Sequence, residues 1–420
     1  MAVRVNYCVY REGLSPVFAS QVVRPAERVR ELGLSVGLTL LVSVGQLLRP
    51  GLARRWHERW SWLRKSLGES PCLIPSPPAR SRWLWPEDQV LQAWLRFRYR
   101  AKTPVILHCR GTEMTSIALA ARRSLSGIKV IFDCRGISHA EIEYVVRSQQ
   151  LSRMDQHQLD ARVKLHRQME LSALQEADAV VCVSEAMSGY LATEHGTPNS
   201  RITTIPCSVE TGPFCNASAN REQIRHELGL SERLVVAYCG SLHAWQLPGT
   251  SLDLFCSVKQ IDPTAHFLAI TTNANSMKHM IAAHGIQKED ASVVSIPHDR
   301  VPSYLAAADV GLLLREASLL NRVSSPVKFG EYLAAGIPVV MSEGIGDYSM
   351  LAESERVGMV IDMRSLQHPE KIAAAVCGFV QQCRREGEAL RSRCRAVARQ
   401  QLSWDAHLPK LVRLYEALAS

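Results

Sequence analysis

The sequence predicts an α/β protein built from two doubly wound, parallel-sheet halves. Three observations lead there. Short β-rich runs alternate with helical stretches, the order that buries a parallel sheet between helix layers. The alternation pauses over residues 206–230, where Gly, Pro, Asn and Ser precede a short polar helix, and then restarts. Each half holds about 200 residues, the size of one open doubly wound domain, which favours a pair of domains over a single barrel.

In the first half, strands are expected at residues 6–10 and 38–44, flanking a helix over 18–32. A helix over 52–67 follows, and residues 80–86, rich in Pro and Trp, read as loop. Val105-Ile106-Leu107 reads as a strand, followed by a helix over 114–124, a stop at Gly127 and a strand over 128–132. A long polar helix over 155–175 leads to the strand Ala179-Val180-Val181-Cys182-Val183. Ser184-Glu185 opens the next helix, and residues 202–205 form another strand. In the second half, strands are expected at 234–239, 265–270, 293–296, 310–314 and 337–341, with a helix over 252–260. The domain bounds that follow are 1–206, a linker at 207–232, a second domain at 233–400 and a tail helix over 401–420.

Composition narrows the function classes. Of the 420 residues, 46% are apolar, enough for two cores and too many for a disordered chain. No apolar run reaches the roughly 20 residues that a membrane-spanning helix needs. The N-terminus does not read as a secretory leader. The twelve cysteines are scattered singly with no C-x-x-C pair, which fits reduced thiols in the cytoplasm and neither a zinc site nor a disulfide scaffold. A formal charge of +9 favours anionic partners. Nucleic acid is not expected among them, because none of its usual binding motifs appears. Part of the charge lies at Arg54, Arg55, Arg59, Arg64 and Lys65, interleaved with Trp56, Trp60 and Trp62. Such a helix suits the anionic face of a membrane; equally, it suits a helix with its tryptophans turned inward.

The segment richest in chemistry is Ser324-Ser325-Pro326-Val327-Lys328-Phe329-Gly330-Glu331-Tyr332-Leu333-Ala334-Ala335-Gly336. Ser325 reads as a helix N-cap, Pro326 as the first helical residue and Gly336 as a left-handed terminator. The helix follows a strand, so its N-terminus falls at the strand's C-terminal end, where open α/β sheets bind ligands. Free N–H groups and the positive end of the helix dipole can hold a diphosphate there. Lys328 and Glu331, three apart, share one face. A cation can neutralise phosphate, and a carboxylate can accept hydrogen bonds from two ribose hydroxyls. The alternative is a capped core helix carrying a surface Lys–Glu pair.

This segment resembles the signature region of the family-4 retaining glycosyltransferases, bacterial surface-polysaccharide type, with the two-Rossmann-domain (GT-B) fold. Four further stretches resemble the family in order: Ala179 to Glu185; Tyr238-Cys239-Gly240-Ser241 with Trp245-Gln246; Ile296 to Pro302 with Leu305 to Val310; and Ser403-Trp404 with Leu414-Tyr415. Phe132-Asp133-Cys134-Arg135-Gly136 resembles a segment of the surface-polysaccharide enzymes. The likeness runs over roughly residues 100–420 and is strongest in the second half. It implies two Rossmann-like domains facing a cleft, with a nucleotide-sugar donor on the second, a glycan or lipid-linked acceptor on the first, and a tail helix over 401–420 that crosses back onto the first domain. Glu331 would hold the ribose and Lys328 the diphosphate, with Ser325 at the helix start. Gly240 and Ser241 would approach the phosphates, and the loop from His298 to Val301 would line the base pocket. Two departures stand out. Val323 occupies a position that is often acidic, and residues 241–246 lack the usual Arg and Lys, leaving Arg322 or Lys328 to supply the charge.

In the first half, His108, Arg110 and Gly111 follow one strand, while Asp133, Arg135, His139 and Glu141 follow the next. Both groups fall at strand C-terminal ends. Asp133 and Arg135 are candidate catalytic residues with Lys328, and His108, Arg110, His139 and Glu141 are candidate acceptor residues. Asp133 and Arg135 could equally form a structural ion pair. The expected reaction is sugar transfer with retention, helped by charge stabilisation at the diphosphate. No D-x-D motif is present, and neither metal nor other cofactor is expected. Two rival readings are a nucleotide-sugar 2-epimerase on the same fold and a non-catalytic nucleotide-sugar-binding homologue. The expected location is the cytoplasm, with peripheral contact to the inner face of the membrane.

Overall fold

The computed structural model describes residues 4–12, 16–67, 71–76, 86–99, 105–123, 125–148 and 153–420. The chain divides into two compact units, one of residues 1–206 with 407–420, the other of residues 207–406.

The first unit holds a seven-stranded parallel sheet. Its strands are β1 (Arg4–Tyr10), β2 (Ser35–Ser43), β3 (Cys72–Ser76), β4 (Val105–Arg110), β5 (Ile128–Cys134), β6 (Ala179–Cys182) and β7 (Ile202–Thr204), in the order β3-β2-β1-β4-β5-β6-β7. The second unit repeats the plan with six strands: β8 (Leu234–Cys239), β9 (Ala265–Ile270), β10 (Ala291–Val294), β11 (Val310–Leu313), β12 (Val339–Ser342) and β13 (Gly358–Ile361), in the order β10-β9-β8-β11-β12-β13. All strand pairs of both sheets are parallel. Both orders reverse after the first strand, so each sheet has a switch point, between β1 and β4 and between β8 and β11.

The strands read as apolar runs because both sheet faces are covered. Every residue of β8 is buried. Val235, Ala237 and Cys239 join one core cluster, while Leu234, Val236 and Tyr238 join another. That alternation is the period of two that puts successive side chains on opposite faces.

The two-domain α/β prediction holds, and several details need correction. Residues 207–232 are not a linker, because Val209, Phe214 and Leu230 belong to the second unit's core. They looked like a linker because their turn residues sit between short apolar anchors that carry no period. The expected helix over 18–32 is a one-turn helix (Pro16–Phe18), a wide π turn (Ala19–Val23) and a helix (Arg24–Glu31), all in line. β3, β13 and the helices Glu87–Arg98 and Ser138–Ser148 were not anticipated. Of the loop expected at 80–86, residues 80–85 lie outside the described residues. All twelve cysteines are free thiols. No helix among the described residues is long and apolar enough to cross a membrane.

Candidate functional site

Side chains with chemistry collect at the strand C-terminal ends of both units. In the second unit, the helix Val327–Ala334 carries Lys328 and Glu331. Its position is set by Tyr332, whose hydroxyl accepts from the Cys239 N–H (2.8 Å) and donates to the Leu312 carbonyl (3.2 Å). These two partners lie on β8 and β11, so one side chain pins the helix across the switch point. Gly311 makes room for it: a Cβ there would lie 2.7 Å from the Tyr332 ring. Phe329 and Leu333 anchor the same helix in the core.

The helix start differs from the prediction. Pro326 is the N-cap, the helix begins at Val327, and no side chain caps it. Ser325 does not cap because its hydroxyl is already used: it accepts from the Cys207 N–H (2.9 Å) and bonds the Tyr348 hydroxyl (2.6 Å). The end matches, with Gly336 at φ +76°.

Lys328 Nζ lies 2.9 Å from Glu331 Oε2. Glu331 is buried. Enclosure disfavours the Lys328 charge, but Cys239 and the Glu331 carboxylate outweigh it and hold its pKa above the ordinary lysine value. The Gly240-Ser241 turn lies against this pair. Gly240 has φ +153°, and a Cβ there would lie 2.9 Å from Gln246 Oε1 and 3.9 Å from Lys328 Cε. Gln246 also donates to the Ser241 hydroxyl (2.7 Å). The Trp245 carbonyl accepts from the Glu316 N–H (3.2 Å), which ties the loop after β8 to the loop after β11.

Arg315, two residues beyond β11, is a further cation of this edge that the sequence reading missed. Its Nη1 reaches Asn321 Oδ1 (3.3 Å), while its Nε is buried with no hydrogen-bond partner. Burial pushes its pKa down to about 10, against the pull of Tyr238 and Tyr332. The signal was available, since Arg315 is the first charged residue after a buried strand. Arg322, the expected source of charge, is exposed. His298 is exposed on a turn after β10, and Val301 is buried in the core at the start of the next helix. Val323 is buried as well.

In the first unit, Asp133 at the end of β5 is the centre of an ion-pair cluster. Its Oδ1 lies 2.7 Å from Arg135 Nε, and its Oδ2 lies 3.5 Å from His108 Nε2 and 3.8 Å from Arg110 Nη1. Arg110 also binds Glu12 at 2.8 Å, directly beyond the switch-point strands β1 and β4. Burial alone would raise the Asp133 pKa; Arg135, His108 and Arg110 overcome it and hold the carboxyl well below its usual range. His108 stacks on Tyr7 (ring centroids 4.5 Å apart), and its Nδ1 lies 2.8 Å from the Tyr415 hydroxyl. The Tyr415 hydroxyl in turn donates to the Tyr7 hydroxyl (2.9 Å). Tyr415 comes from the Trp404–Ala419 helix, so the chain's last helix closes this cluster. His139 Nδ1 pairs with buried Glu170 at 3.0 Å. Glu141 is exposed, yet crowding by protein and by Glu113 and Glu170 raises its pKa to about 7. Among the described residues, no three His, Cys, Asp or Glu side chains gather in a way that could hold a metal ion.

Residues 47–212 match the family model Glycosyltransferase Family 4. The match lies almost wholly in the first unit, whereas the resemblance read from motifs was strongest in the second. "Putative teichuronic acid biosynthesis glycosyltransferase TuaH" of Bacillus subtilis (strain 168) is 26% identical over 215 residues, 50% of this chain and 50% of that protein. The chain thus spans about half the length of the curated relative it matches. Among solved structures, Anabaena Alr3699/HepE in complex with UDP and glucose superposes with a TM-score of 0.71 at 12% identity, covering 99% of this chain and 100% of the other. WaaG, a glycosyltransferase involved in lipopolysaccharide biosynthesis, superposes with a TM-score of 0.65 at 16% identity, covering 99% of each chain. The fold is therefore that of the GT-B glycosyltransferases, two Rossmann-like parallel-sheet units.

Proposed function

We propose that the protein is a retaining glycosyltransferase that takes a nucleotide-activated sugar on its second unit and passes the sugar to a glycan or lipid-linked acceptor in surface-polysaccharide synthesis. One observation carries the reading: Lys328, Glu331 and the Gly240 turn meet at the β8/β11 switch point, beside an uncapped helix N-terminus. In this reading Glu331 accepts hydrogen bonds from the ribose. Lys328 and Arg315 hold the diphosphate, with the helix dipole aiding them. Sugar departure builds negative charge on the diphosphate, and these preorganised cations stabilise it without a metal. Retention follows from displacement on the front face, with the departing phosphate accepting the acceptor's proton. The first unit's Arg110, Arg135, His139 and Glu141 then serve the acceptor, with Asp133 holding the arginines in place and His108 bracing Asp133. The UDP and UDP-glucose in the Anabaena structures make UDP-sugars the first donors to try.

The test is a transfer assay with UDP-sugars and surface-glycan acceptors, run with and without EDTA. The reading predicts product only when acceptor is present, with the anomeric configuration kept and with full activity in EDTA. Sugar conversion with donor alone would identify an epimerase, and loss of activity rescued by magnesium or manganese would end the metal-free account.

Contact with the membrane belongs to the same reading. In the helix Pro50–Leu67, Trp56, Leu63 and Leu67 point into the core, so Trp56 is no membrane anchor. Arg54, Arg55, Arg64 and Lys65 remain exposed. Near an anionic surface each such cation contributes about 1 kcal/mol, screened by salt. Sedimentation with anionic vesicles should therefore weaken when Arg54, Arg55 and Arg64 become Gln. Equal binding by both proteins would remove this helix as the docking surface.

A further inference from the structure

A pocket of about 350 Å³ opens at the opposite edge of the second sheet, where the strands begin. Asp309 and Pro338, in its wall, directly precede β11 and β12. Four guanidiniums line it: Arg221, Arg225, Arg384 and Arg391. The acids in the wall are buried Asp309 and Glu222, the latter with its side chain 82% exposed. Four cations against two acids leave an excess of two positive charges.

Two of the arginines have structural work. Arg221 donates to the carbonyls of Ala306 and Ala308 (both 2.7 Å) and to Asp309 Oδ1 (2.6 Å). Arg225 donates to the carbonyls of Ala307 (2.9 Å), Ser231 (3.2 Å) and Arg233 (2.6 Å). Together they satisfy the open carbonyls at the end of the Val301–Ala306 helix.

The other two arginines are underused. Arg384 spends only Nη2, on the Arg233 carbonyl (2.7 Å), at 3.5 Å from Asp309. Arg391 spends only Nη2, on the Ala308 carbonyl (3.0 Å), at 3.9 Å from Asp309. Among the described residues, their Nε and Nη1 groups bond nothing. Asp309 is already shared with Arg221 and Arg225, so it cannot balance all four. Loss of solvent and then the Arg221 charge push the Arg391 pKa down to about 10. Guanidiniums with donors to spare are suited in geometry and charge to holding a phosphate. The start of the Glu388–Gln401 helix, which no side chain caps, lines the same pocket through Gly387, Leu390 and Arg391. Its positive end adds to the field.

We propose that this pocket binds a phosphate dianion, free or carried on a small molecule, through Arg384 and Arg391. The volume falls in the range of small-molecule sites. Because Gly240, Arg315 and Lys328 lie at the other end of the strands, the occupant is a second ligand and not the donor. The proposal does not depend on the glycosyltransferase reading.

The test is thermal unfolding of the full chain with inorganic phosphate or glucose 6-phosphate, against potassium chloride at matched ionic strength. The variants are Arg384→Gln/Arg391→Gln, Arg384→Gln alone in case the pair fails to fold, and Lys328→Gln. A saturable rise of a few degrees is expected in wild type and Lys328→Gln. It should vanish in the double variant and need about tenfold more ligand in Arg384→Gln, as loss of a charged hydrogen bond implies. Saturation at lower glucose 6-phosphate than phosphate identifies a carried phosphate, and equal saturation identifies the free ion; either sustains the site. No rise in wild type, or a rise that survives in both arginine variants, overturns it. So does a rise lost only in Lys328→Gln, which would place the anion at the strand C-terminal ends.

Discussion

Both units build a polar cluster at the C-terminal ends of a parallel sheet, but they spend their charges differently. In the first unit, Arg110 and Arg135 face Asp133 and Glu12, and Tyr7, Tyr415 and His108 complete the network from within. The charges there balance, two against two, and each cation has a carboxylate within 4 Å, although Arg110 Nη1 and His108 Nε2 make no hydrogen bond. In the second unit, Lys328 pairs with Glu331, whereas Arg315 has no salt bridge among the described residues: its Nη1 reaches the Asn321 amide oxygen and its Nε is left without a hydrogen-bond partner. The same order of strands around the switch point thus supports one cluster whose charges balance and one with a cation to spare. A site for an anion is recognisable by that surplus, and a cluster that balances itself reads first as structure.

The largest expected effect falls on the first cluster. Asp133→Asn leaves Arg135 and Arg110 without their shared carboxylate, and breaking a buried pair costs about 3–5 kcal/mol. Urea denaturation should show that loss at neutral pH, with nucleotide affinity unchanged. The pH dependence follows from the depressed Asp133 pKa. Its contribution is complete above the ordinary unfolded carboxylate value, near about 4, and is lost as the pH falls through the folded value. The variant should therefore lose part of the acid limb of the stability curve. A stability loss under 1 kcal/mol, with activity abolished, would mean that Asp133 does chemistry and not scaffolding, and the contrast between the units would fail.

A smaller effect is expected at Arg315. Arg315→Gln removes a half-buried, incompletely bonded cation, so stability should hold or rise while nucleotide binding weakens by about 1.5 kcal/mol, roughly tenfold. Calorimetric titration with UDP and a parallel urea curve check both halves. Loss of stability without loss of affinity would make Arg315 a structural residue.

Much of this was legible in the sequence, for physical reasons. Strands buried on both faces leave apolar runs, and β8 and β9 have the bounds that the sequence reading expected. The Lys328–Glu331 helix was legible because proline and glycine punctuate it. What failed was whatever depended on long-range partners. Ser325 looked like a cap because nothing in its neighbourhood of sequence reveals that Cys207 and Tyr348 claim its hydroxyl. Residues 207–232 looked like a linker because the arginines that bind them to the second unit, Arg221 and Arg225, find Asp309 far along the chain. The resemblance implied that the tail helix returns to the first domain, but nothing near Tyr415 in sequence names His108, more than 300 residues earlier, as its partner. Arg315 was passed over because it stands alone, outside any motif.

The central claim is that the second unit's switch point holds the nucleotide through Glu331. The most direct measurement is calorimetric titration of wild type and Glu331→Gln with UDP, with the fold of each checked by urea denaturation. Glutamine keeps the size of the side chain and removes the charged acceptor, so binding should weaken by about 1.5–3 kcal/mol, roughly 10- to 150-fold, in a protein that still unfolds cooperatively. Unchanged UDP affinity in a folded Glu331→Gln protein would contradict the account.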